Sequence, residues 1–218
     1  MQDLGIISPA MFKLFSECKA KFYYRYVEQI PMPMLDKSFI TGKNIHALAS
    51  YYLQGYEIKQ FEKSLSEQEQ NYWNNLKSNE YFNKEIIGIE KKISCKLDKY
   101  WIGGRLDAIV KDNDDIFILD YKTGGIKQDM TYDYQTMVYS VLLNEYYNNI
   151  PKTIFFVYLD LKNNKEHKIK LTEELKKEYK EKLLRTCEEM NTFRIEKFLP
   201  SKECSCEYSK ICKPNMIS

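Results

Sequence analysis

Two apolar segments separated by a short polar turn restrict the fold of this chain more than any other feature of its sequence. The segments cover residues 103–110 and 116–122, and the polar stretch 111–115 lies between them. This arrangement predicts an antiparallel hairpin. If Asn113 and Asp114 are the two turn residues, residues whose numbers add to 227 face each other. Asp107 and Asp120 are such a pair, with their Cβ atoms predicted to lie about 5 Å apart.

Two facing aspartates within apolar strands are destabilising unless a cation offsets their charges. Carboxylate oxygens suit Mg²⁺ or Mn²⁺. Strand alternation puts Asp120 and Lys122 on one face, so we expect two carboxylates and one ammonium in a small volume. Phosphodiester hydrolysis needs such a set, because a metal lowers the pKa of a bound water while a lysine orients the nucleophile. The alternative is a solvated hairpin with an ordinary Asp120–Lys122 pair.

Hydrophobic periodicity predicts a single domain in three parts along the 218 residues. Residues 1–84 are mainly helical, residues 85–171 form the catalytic sheet core, and residues 172–218 contain a helix and a cysteine-rich end. The predicted helices run from Ser8-Pro9 towards Cys18, from Ser38 to Tyr56, from Glu62 to Tyr81, from Thr131 to Tyr147 and onward from Thr172. The predicted strands cover residues 86–95, 99–110, 115–122, 153–161 and 165–171.

Composition sets the broad class of the protein. Hydrophobic residues make up 44% and charged residues 29%, a balance typical of globular proteins. A formal net charge of +2 neither demands nor excludes a nucleic-acid partner. We expect no membrane association, because no apolar run approaches the roughly 20 residues that span a bilayer. The N-terminus has no secretory pattern, which predicts a cytoplasmic protein whose six cysteines are thiols or metal ligands.

Four motifs, in order along the chain, resemble the RecB-like branch of the PD-(D/E)xK nuclease superfamily. They are His46, the segment 104–107, the segment 120–124 and the segment 135–139. The resemblance covers nearly the whole chain and implies a restriction-endonuclease-like α/β fold, with a central mixed sheet flanked by helices. It also implies that the N-terminal helical part and the C-terminal cysteine segment are joined by a metal cluster.

The resemblance implies a role for each matching residue. The implied metal ligands are three side chains and one main-chain carbonyl, those of His46, Asp107, Asp120 and Tyr121. Lys122 would be the catalytic lysine. Gln135 and Tyr139, which share a helix face, would assist at the scissile strand. Judged alone, these two would be polar residues on an exposed helix face, and His46 would be a packed or surface histidine. Glu90 lies where related nucleases often carry a glutamate.

One early and three late cysteines resemble those of the iron–sulfur members of the family, which include CRISPR-associated RecB-like exonucleases and AddB-type nuclease subunits. The implied [4Fe–4S] ligands are Cys18, Cys204, Cys206 and Cys212. One residue separates Cys204 from Cys206, whereas these relatives usually have two. Zinc at the same thiols or a metal-free end are the alternatives. Cys95 and Cys187 are predicted to be core residues.

The sequence therefore predicts a Mg²⁺- or Mn²⁺-dependent deoxyribonuclease that hydrolyses phosphodiester bonds. The expected activity is that of an exonuclease on single-stranded DNA or DNA ends, in DNA repair, recombination or CRISPR adaptation. Expected partners are DNA and a helicase or CRISPR-adaptation protein. The alternatives are a non-catalytic DNA-binding subunit of a repair or adaptation complex and a zinc-stapled interaction module. The aromatic-basic segment 21–26 is expected either to stack on bases or to form a buried helix with two exposed cations.

Overall fold

A six-stranded mixed sheet forms the centre of the computed structural model, which describes residues 4–31, 37–126, 129–146, 153–198 and 206–212. The strands are β1 (Ile6–Ile7), β2 (Glu85–Leu97), β3 (Tyr100–Asp112), β4 (Asp115–Lys122), β5 (Ile154–Asp160) and β6 (Lys165–Lys170). The α-helices are α1 (Pro9–Glu17), α2 (Lys19–Phe22), α3 (Lys37–Leu53), α4 (Lys59–Ser64), α5 (Glu67–Lys77), α6 (Tyr134–Tyr146) and α7 (Glu173–Thr192). A π-helical turn covers Tyr23–Val27, and 3₁₀ turns cover Glu80–Asn83 and Ile195–Lys197.

The sheet is mixed because its neighbouring strands differ in direction. β1 runs parallel to β3 and β5 runs parallel to β4, whereas the pairs β2–β3, β3–β4 and β5–β6 are antiparallel. Helices cover both faces of this sheet. The predicted central mixed sheet flanked by helices is thus confirmed.

One edge of β3 is shared by two strands and is open between them. β2 pairs with the other edge along nearly the whole strand. On the shared edge, β1 pairs with Trp101 and Ile102, and β4 pairs with the segment from Ala108 to Asp112. Among the described residues, no strand pairs with segment 103–107 on this edge. We call this opening in the sheet the sheet gap.

Strand alternation divides the apolar residues between two cores, one on each face of the sheet. Ile109, Ile118 and Phe156 pack with α1, α6 and α7 in the first core. Ala108, Leu119 and other residues of opposite alternation pack with α3 and α5 in the second. Side chains from α3 and α6 therefore approach the sheet gap from opposite faces.

Two features of the helical part differ from the sequence-based expectation. The predicted helix from Glu62 to Tyr81 is wrong, because the chain is interrupted between α4 and α5. Ser66 caps α5 by accepting a hydrogen bond from the amide of Glu69, whose carboxylate accepts one in return from the Ser66 amide. The two-residue strand β1 was not predicted. No helix within the described ranges is long and apolar enough to cross a membrane.

Two glycines of β3 let neighbouring elements approach the sheet gap closely. A Cβ on Gly103 would lie 2.6 Å from a methyl carbon of Ile6 in β1. A Cβ on Gly104 would overlap the ring of Tyr139 in α6, which is itself buried. The absence of side chains at these positions therefore brings β1 and α6 against β3.

We expect Gly104→Ala to destabilise the protein by about 1–3 kcal/mol, because the added methyl group must displace a buried aromatic ring. Gly124→Ala is the matched control, since no atom lies within 4 Å of the position that its methyl group would occupy. It should change the free energy of unfolding by less than about 0.5 kcal/mol. Urea unfolding of both variants measures the difference, and equal losses would contradict the packing argument.

Candidate active site

The β3–β4 hairpin has the register that the sequence predicts. Five pairs follow it, from Ala108 opposite Leu119 to Asp112 opposite Asp115, which confirms the turn at residues 113–114. The ladder stops after Ala108. There the amide of Tyr121 donates to the Asp107 carboxylate at 3.1 Å instead of to a main-chain carbonyl. Asp107 therefore lies where β4 separates from β3, at the margin of the sheet gap.

Gln135 connects the two predicted catalytic side chains of β4. Its side-chain amide group donates to Oδ1 of Asp120, and its carbonyl oxygen accepts from Nζ of Lys122. The same Nζ lies 2.8 Å from Oδ2 of Asp120, which closes a three-residue contact network. Asp133 precedes α6 and accepts from the main-chain amide of Gln135 at 2.9 Å. The start of α6 is thereby held against β4.

Tyr139 lies one helical turn further along α6 and faces the sheet gap. Its hydroxyl donates to the main-chain carbonyl of Arg105 at 2.8 Å, and its ring stacks on Phe156. The Tyr139 hydroxyl therefore satisfies a main-chain carbonyl of β3 within segment 103–107. No described strand pairs with this segment at the sheet gap. Burial raises the pKa of the Tyr139 hydroxyl above its ordinary value, which keeps this group protonated.

His46 reaches the same region from α3, on the opposite face of the sheet. Its Nδ1 lies 3.0 Å from Oδ1 of Asp107, and its Nε2 lies 2.9 Å from the main-chain carbonyl of Tyr121. Both neighbours are acceptors, so a protonated ring satisfies both contacts. Burial by itself would lower the pKa of His46, but the charge and hydrogen bond of Asp107 raise it to about 9.

The charges on β4 respond to burial and to each other. Burial raises the pKa of Asp120 to about 6, and the nearby ammonium of Lys122 offsets only part of that effect. Burial by itself would lower the pKa of Lys122, but the Asp120 carboxylate raises it above its ordinary value. Lys122 is therefore an ammonium at neutral pH and acts as a donor, not as a base.

Glu90 lies on the other side of Asp107, in β2. It falls between the pairs Ile89–Ala108 and Lys91–Leu106, which puts it opposite Asp107, and its backbone is left-handed with φ 47°. Its carboxylate also pairs with Arg105 at 2.8 Å. A turn at residues 98–99 sets the register of β2 and β3. Counting residues outward from this turn places Glu90 opposite Asp107, as counting from the turn at 113–114 was used for Asp120.

The donor set fits a divalent cation. Ligand atoms of His46, Glu90 and Asp107 all lie within 4.8 Å of one another. Asp120 lies outside that group of three, but its Oδ2 is buried and accepts no well-aligned hydrogen bond, although the Lys122 ammonium lies beside it. This oxygen is therefore suited to a cation. One nitrogen and several carboxylate oxygens suit Mg²⁺, Mn²⁺ and related ions. The structure thus brings the predicted ligands into one neighbourhood, with Glu90 added.

A cleft with a volume of about 850 Å³ opens above this cluster. Five of the predicted site residues line it, namely His46, Asp107, Lys122, Gln135 and Tyr139. Asp120 lies beneath, in contact with Lys122 and Gln135. Residues from β3, β4, α3 and α6 therefore converge on a single opening.

Sequence reasoning did not identify Asp160, which supports the wall of the cleft. This buried carboxylate at the end of β5 accepts from the amide of Ile126 at 2.8 Å and from the side chain of Asn163 at 2.8 Å. It pairs in register with Lys122. It therefore holds the loop that follows Lys122. No local pattern signals this role, because the loop and β5 are far apart in sequence.

Comparison with known families identifies the fold and the chemistry class. A model of the PD-(D/E)XK nuclease superfamily matches residues 6–97 and 59–213, which together extend over most of the chain. The chain belongs to the PD-(D/E)XK nuclease superfamily. The resemblance of the four motifs to RecB-like nucleases is confirmed, whereas membership of the iron–sulfur branch stays a prediction. Nucleases of this superfamily use a divalent metal, in agreement with the donor set.

Two relatives give a finer comparison for this PD-(D/E)XK chain. CRISPR-associated exonuclease Cas4 of Francisella tularensis subsp. novicida (strain U112) is 25% identical over 112 aligned positions, which cover 44% of this chain and 55% of that protein. This chain thus matches about half the length of that relative. The crystal structure of a protein from Eubacterium rectale, provisionally designated an exonuclease, superposes with a TM-score of 0.60 at 13% identity. The superposition covers 95% of this chain and 88% of the other, and supports the shared fold.

The N-terminal helical part and segment 206–212 pack against each other, while the metal cluster that the resemblance implies between them stays a prediction. The Tyr208 hydroxyl donates to the carbonyl of Ile30 at 3.0 Å, and the Tyr208 ring packs on Tyr24 at 5.6 Å. Lys21 pairs with Glu207 at 3.0 Å. Segment 21–26 therefore contacts the C-terminal segment, but only Phe22 within it is buried, so it is not the buried helix with two exposed cations that was the alternative to base stacking.

The predicted cluster ligands are only partly described. Cys18 lies between α1 and α2, and its Sγ accepts from the amide of Lys21 at 3.4 Å. Cys206 and Cys212 belong to the segment that packs on this region, while Cys204 lies outside the described residues. The three described thiols do not form a group within 4.8 Å of one another. Cys187 is buried as predicted, and Cys95 is half-buried.

We expect divalent-metal affinity to increase with pH between about 7 and 9. With a pKa of about 9, His46 holds a proton at neutral pH that it must release to bind a metal. Below pH 9 the apparent affinity should therefore rise by up to about tenfold per pH unit, and it should level off above that pKa. Calorimetric titration with Mn²⁺ in the absence of DNA measures this trend.

His46→Gln is the control variant for this titration. The amide cannot take up a proton, so the dependence between pH 7 and 9 should vanish while weaker binding to the carboxylates remains. A wild-type affinity that stays constant over this range would contradict a ligand role for His46.

Proposed function

We propose that the protein is a Mg²⁺- or Mn²⁺-dependent deoxyribonuclease that acts as an exonuclease on single-stranded DNA or DNA ends. The observation that carries the proposal is the closed network of Asp120, Lys122 and Gln135 at the floor of a cleft. A buried carboxylate is costly unless it is paired. An ordinary surface ion pair leaves its carboxylate exposed, whereas this network buries Asp120 of β4 and pairs it with Lys122 of β4 and Gln135 of α6.

The metal would be held by the cluster beside the sheet gap. Its proposed ligands are the side chains of His46, Glu90, Asp107 and Asp120 and the main-chain carbonyl of Tyr121. When bound, a divalent cation lowers the pKa of a coordinated water and polarises a phosphate oxygen. The buried Oδ2 of Asp120 faces the Lys122 ammonium at 2.8 Å, and the resulting position beside positive charge supports the place of Asp120 in this set.

Lys122 and its neighbours would act on the scissile phosphate. The raised pKa of Lys122 keeps its ammonium protonated, so it can donate to a phosphate oxygen and offset charge that develops there. Gln135 holds that ammonium at the floor of the cleft, and Asp133 holds Gln135. Tyr139 offers a protonated hydroxyl beside the β3 main chain. Because these side chains constrain one another, the donors are oriented before DNA binds.

The biological setting is proposed from the relatives. The partial similarity to a CRISPR-associated exonuclease favours a role in CRISPR adaptation over general repair or recombination. A helicase or an adaptation protein would then supply DNA ends or unpaired strands in the cytoplasm. The intact set of site residues favours catalysis over the alternative of a non-catalytic DNA-binding subunit.

We also propose that Cys18, Cys204, Cys206 and Cys212 hold a [4Fe–4S] cluster. The proposal is supported by the packing of segment 206–212 on the region around Cys18 and Lys21. Lys21, three residues after Cys18, also pairs with Glu207, the residue that follows Cys206. Such a cluster would tie the two ends of the chain together and stabilise the fold. Zinc at the same thiols is the alternative.

Lys122→Ala should reduce DNA cleavage by a factor of about 10²–10³, because it removes a positive donor from the scissile phosphate. Lys177→Ala is the control, since it removes an exposed lysine from α7, a helix that contributes no residue to the wall of the active-site cleft. The measurement is cleavage of end-labelled linear single strands with Mn²⁺, alongside binding and thermal unfolding of each variant. Retained cleavage in Lys122→Ala would contradict the assigned role.

Closed circular single strands in the same assay test the preference for ends. An exonuclease leaves the circle intact while it degrades the linear strand. Cutting of both at similar rates would show an endonuclease. Binding of linear DNA without cleavage in Mn²⁺ or Mg²⁺ would favour the non-catalytic alternative.

Cys18→Ser should abolish iron and sulfide binding in anaerobically purified protein and should lower its thermal stability, because one of four cluster ligands is lost. Cys95→Ser is the control, since Cys95 lies in β2 and outside the predicted ligand set. It should retain both elements. A colourless wild-type protein that contains stoichiometric zinc would replace the cluster with a zinc site.

A further inference from the structure

Three exposed aromatic rings form a continuous surface near the active-site cleft. Tyr51, Tyr56 and Phe61 are 43%, 61% and 52% exposed. The ring centroid of Tyr51 lies 5.9 Å from that of Tyr56 and 5.6 Å from that of Phe61. A contiguous group of exposed aromatic side chains is unusual on a protein surface and typical of a binding site. We call these three residues the aromatic platform.

The backbone beneath the aromatic platform is held in place. Tyr51 lies in the last turn of α3, and the amide of Tyr56 donates to its carbonyl at 3.0 Å across the following turn. Phe61 lies in α4. The carboxylate of the next residue, Glu62, accepts hydrogen bonds from the indole of Trp73 at 2.7 Å and from the ammonium of Lys77 at 2.9 Å. These contacts tie α4 to α5. The rings are therefore presented on an anchored support, which lowers the entropic cost of binding a ligand.

A second cleft lies between Tyr51 of the aromatic platform and the proposed metal site. This cleft has a volume of about 730 Å³, and Tyr51 contributes to its wall. Three basic side chains also line it, those of Lys43, Lys92 and Arg105. Among the described residues that line it, the one acidic side chain is that of Glu90, which is paired with Arg105 at 2.8 Å. His46 and Arg105 line both this cleft and the active-site cleft, so the two clefts adjoin each other at these side chains.

We propose that the aromatic platform binds the bases of single-stranded DNA and directs the strand into the active site. Bases would stack on Tyr51, Tyr56 and Phe61, while the phosphates follow the basic side chains of the second cleft towards His46. Unpaired bases offer faces for stacking, whereas those of a duplex are already stacked on each other. The platform thus selects single strands over duplex DNA. This inference rests on the proposed nuclease function for the role of the strand.

Equilibrium binding without metal tests the proposal independently of hydrolysis. Fluorescence anisotropy in EDTA compares a labelled oligothymidylate of about twelve nucleotides with an abasic strand of the same length and charge. Tyr51→Ala and Phe61→Ala should each weaken thymidylate binding about tenfold and leave abasic-strand binding unchanged. Tyr51→Phe should bind thymidylate like the wild type, because it keeps the ring.

Tyr146→Ala is the matched control. Tyr146 is 54% exposed but lies at the end of α6, on the opposite face of the sheet from α3. Replacing Tyr146 should leave the affinities for thymidylate and for the abasic strand unchanged. Unchanged abasic-strand binding in the platform variants also reports that they remain folded. A blunt duplex should bind equally to the wild type and to the platform variants.

Two results would overturn the proposal. One is thymidylate binding that neither Tyr51→Ala nor Phe61→Ala weakens. The other is an equal loss on thymidylate and abasic strands, which would attribute the effect to charge or folding and not to stacking. If the protein cleaves DNA with Mn²⁺ and either of these results is obtained, only the proposed role of the aromatic platform is overturned. If the protein binds thymidylate through the platform but cleaves no DNA, only the proposed nuclease function is overturned.

Discussion

The hydrogen bond from the Tyr121 amide to the Asp107 carboxylate is the contact on which the site depends. In a regular antiparallel pair that amide would donate to a main-chain carbonyl of β3. Because Asp107 accepts it instead, the ladder ends and β4 separates from β3. The opening between β1 and β4 then admits side chains from both faces of the sheet. His46 enters from α3 and Tyr139 from α6, and neither could reach an unbroken central sheet.

Burial and charge are balanced across this opening. Asp120 is almost fully buried, so its carboxylate needs nearby positive charge or a donor. Lys122 and Gln135 supply both, and His46 supplies a second positive charge beside Asp107. A divalent cation would compete with the His46 proton for the same acceptors. Charge in the site thus depends on metal and on pH together. The aromatic platform lies beyond this charged region and contributes contacts that do not depend on charge.

Local features of the fold could be predicted from sequence because short-range geometry determines them. The turn at residues 113–114 sets the register of β3 and β4, so the five observed pairs followed from counting, while Asp107 and Asp120 lie just beyond the last pair. The capping pattern at Ser8-Pro9 likewise marked the start of α1. Ser66 and Glu69 form the same kind of capping pattern, which marks the start of α5. The prediction of one helix across this position overlooked it, and the structure has two helices. The hairpin of β2 and β3 could have located Glu90 in the same way.

The sequence by itself determined the hairpin, its register, the alternation of its strands and the family motifs, since each depends on residues close together in the chain. Only the tertiary structure decided which distant residues meet. The two-residue strand β1 has too few residues for a periodic signal, and it exists because Gly103 lets Ile6 approach β3. Asp160 acts on a loop more than thirty residues away, and Tyr51 meets Phe61 across the turn between two helices. Such contacts follow from how helices pack on the two faces of the sheet, which no local pattern encodes.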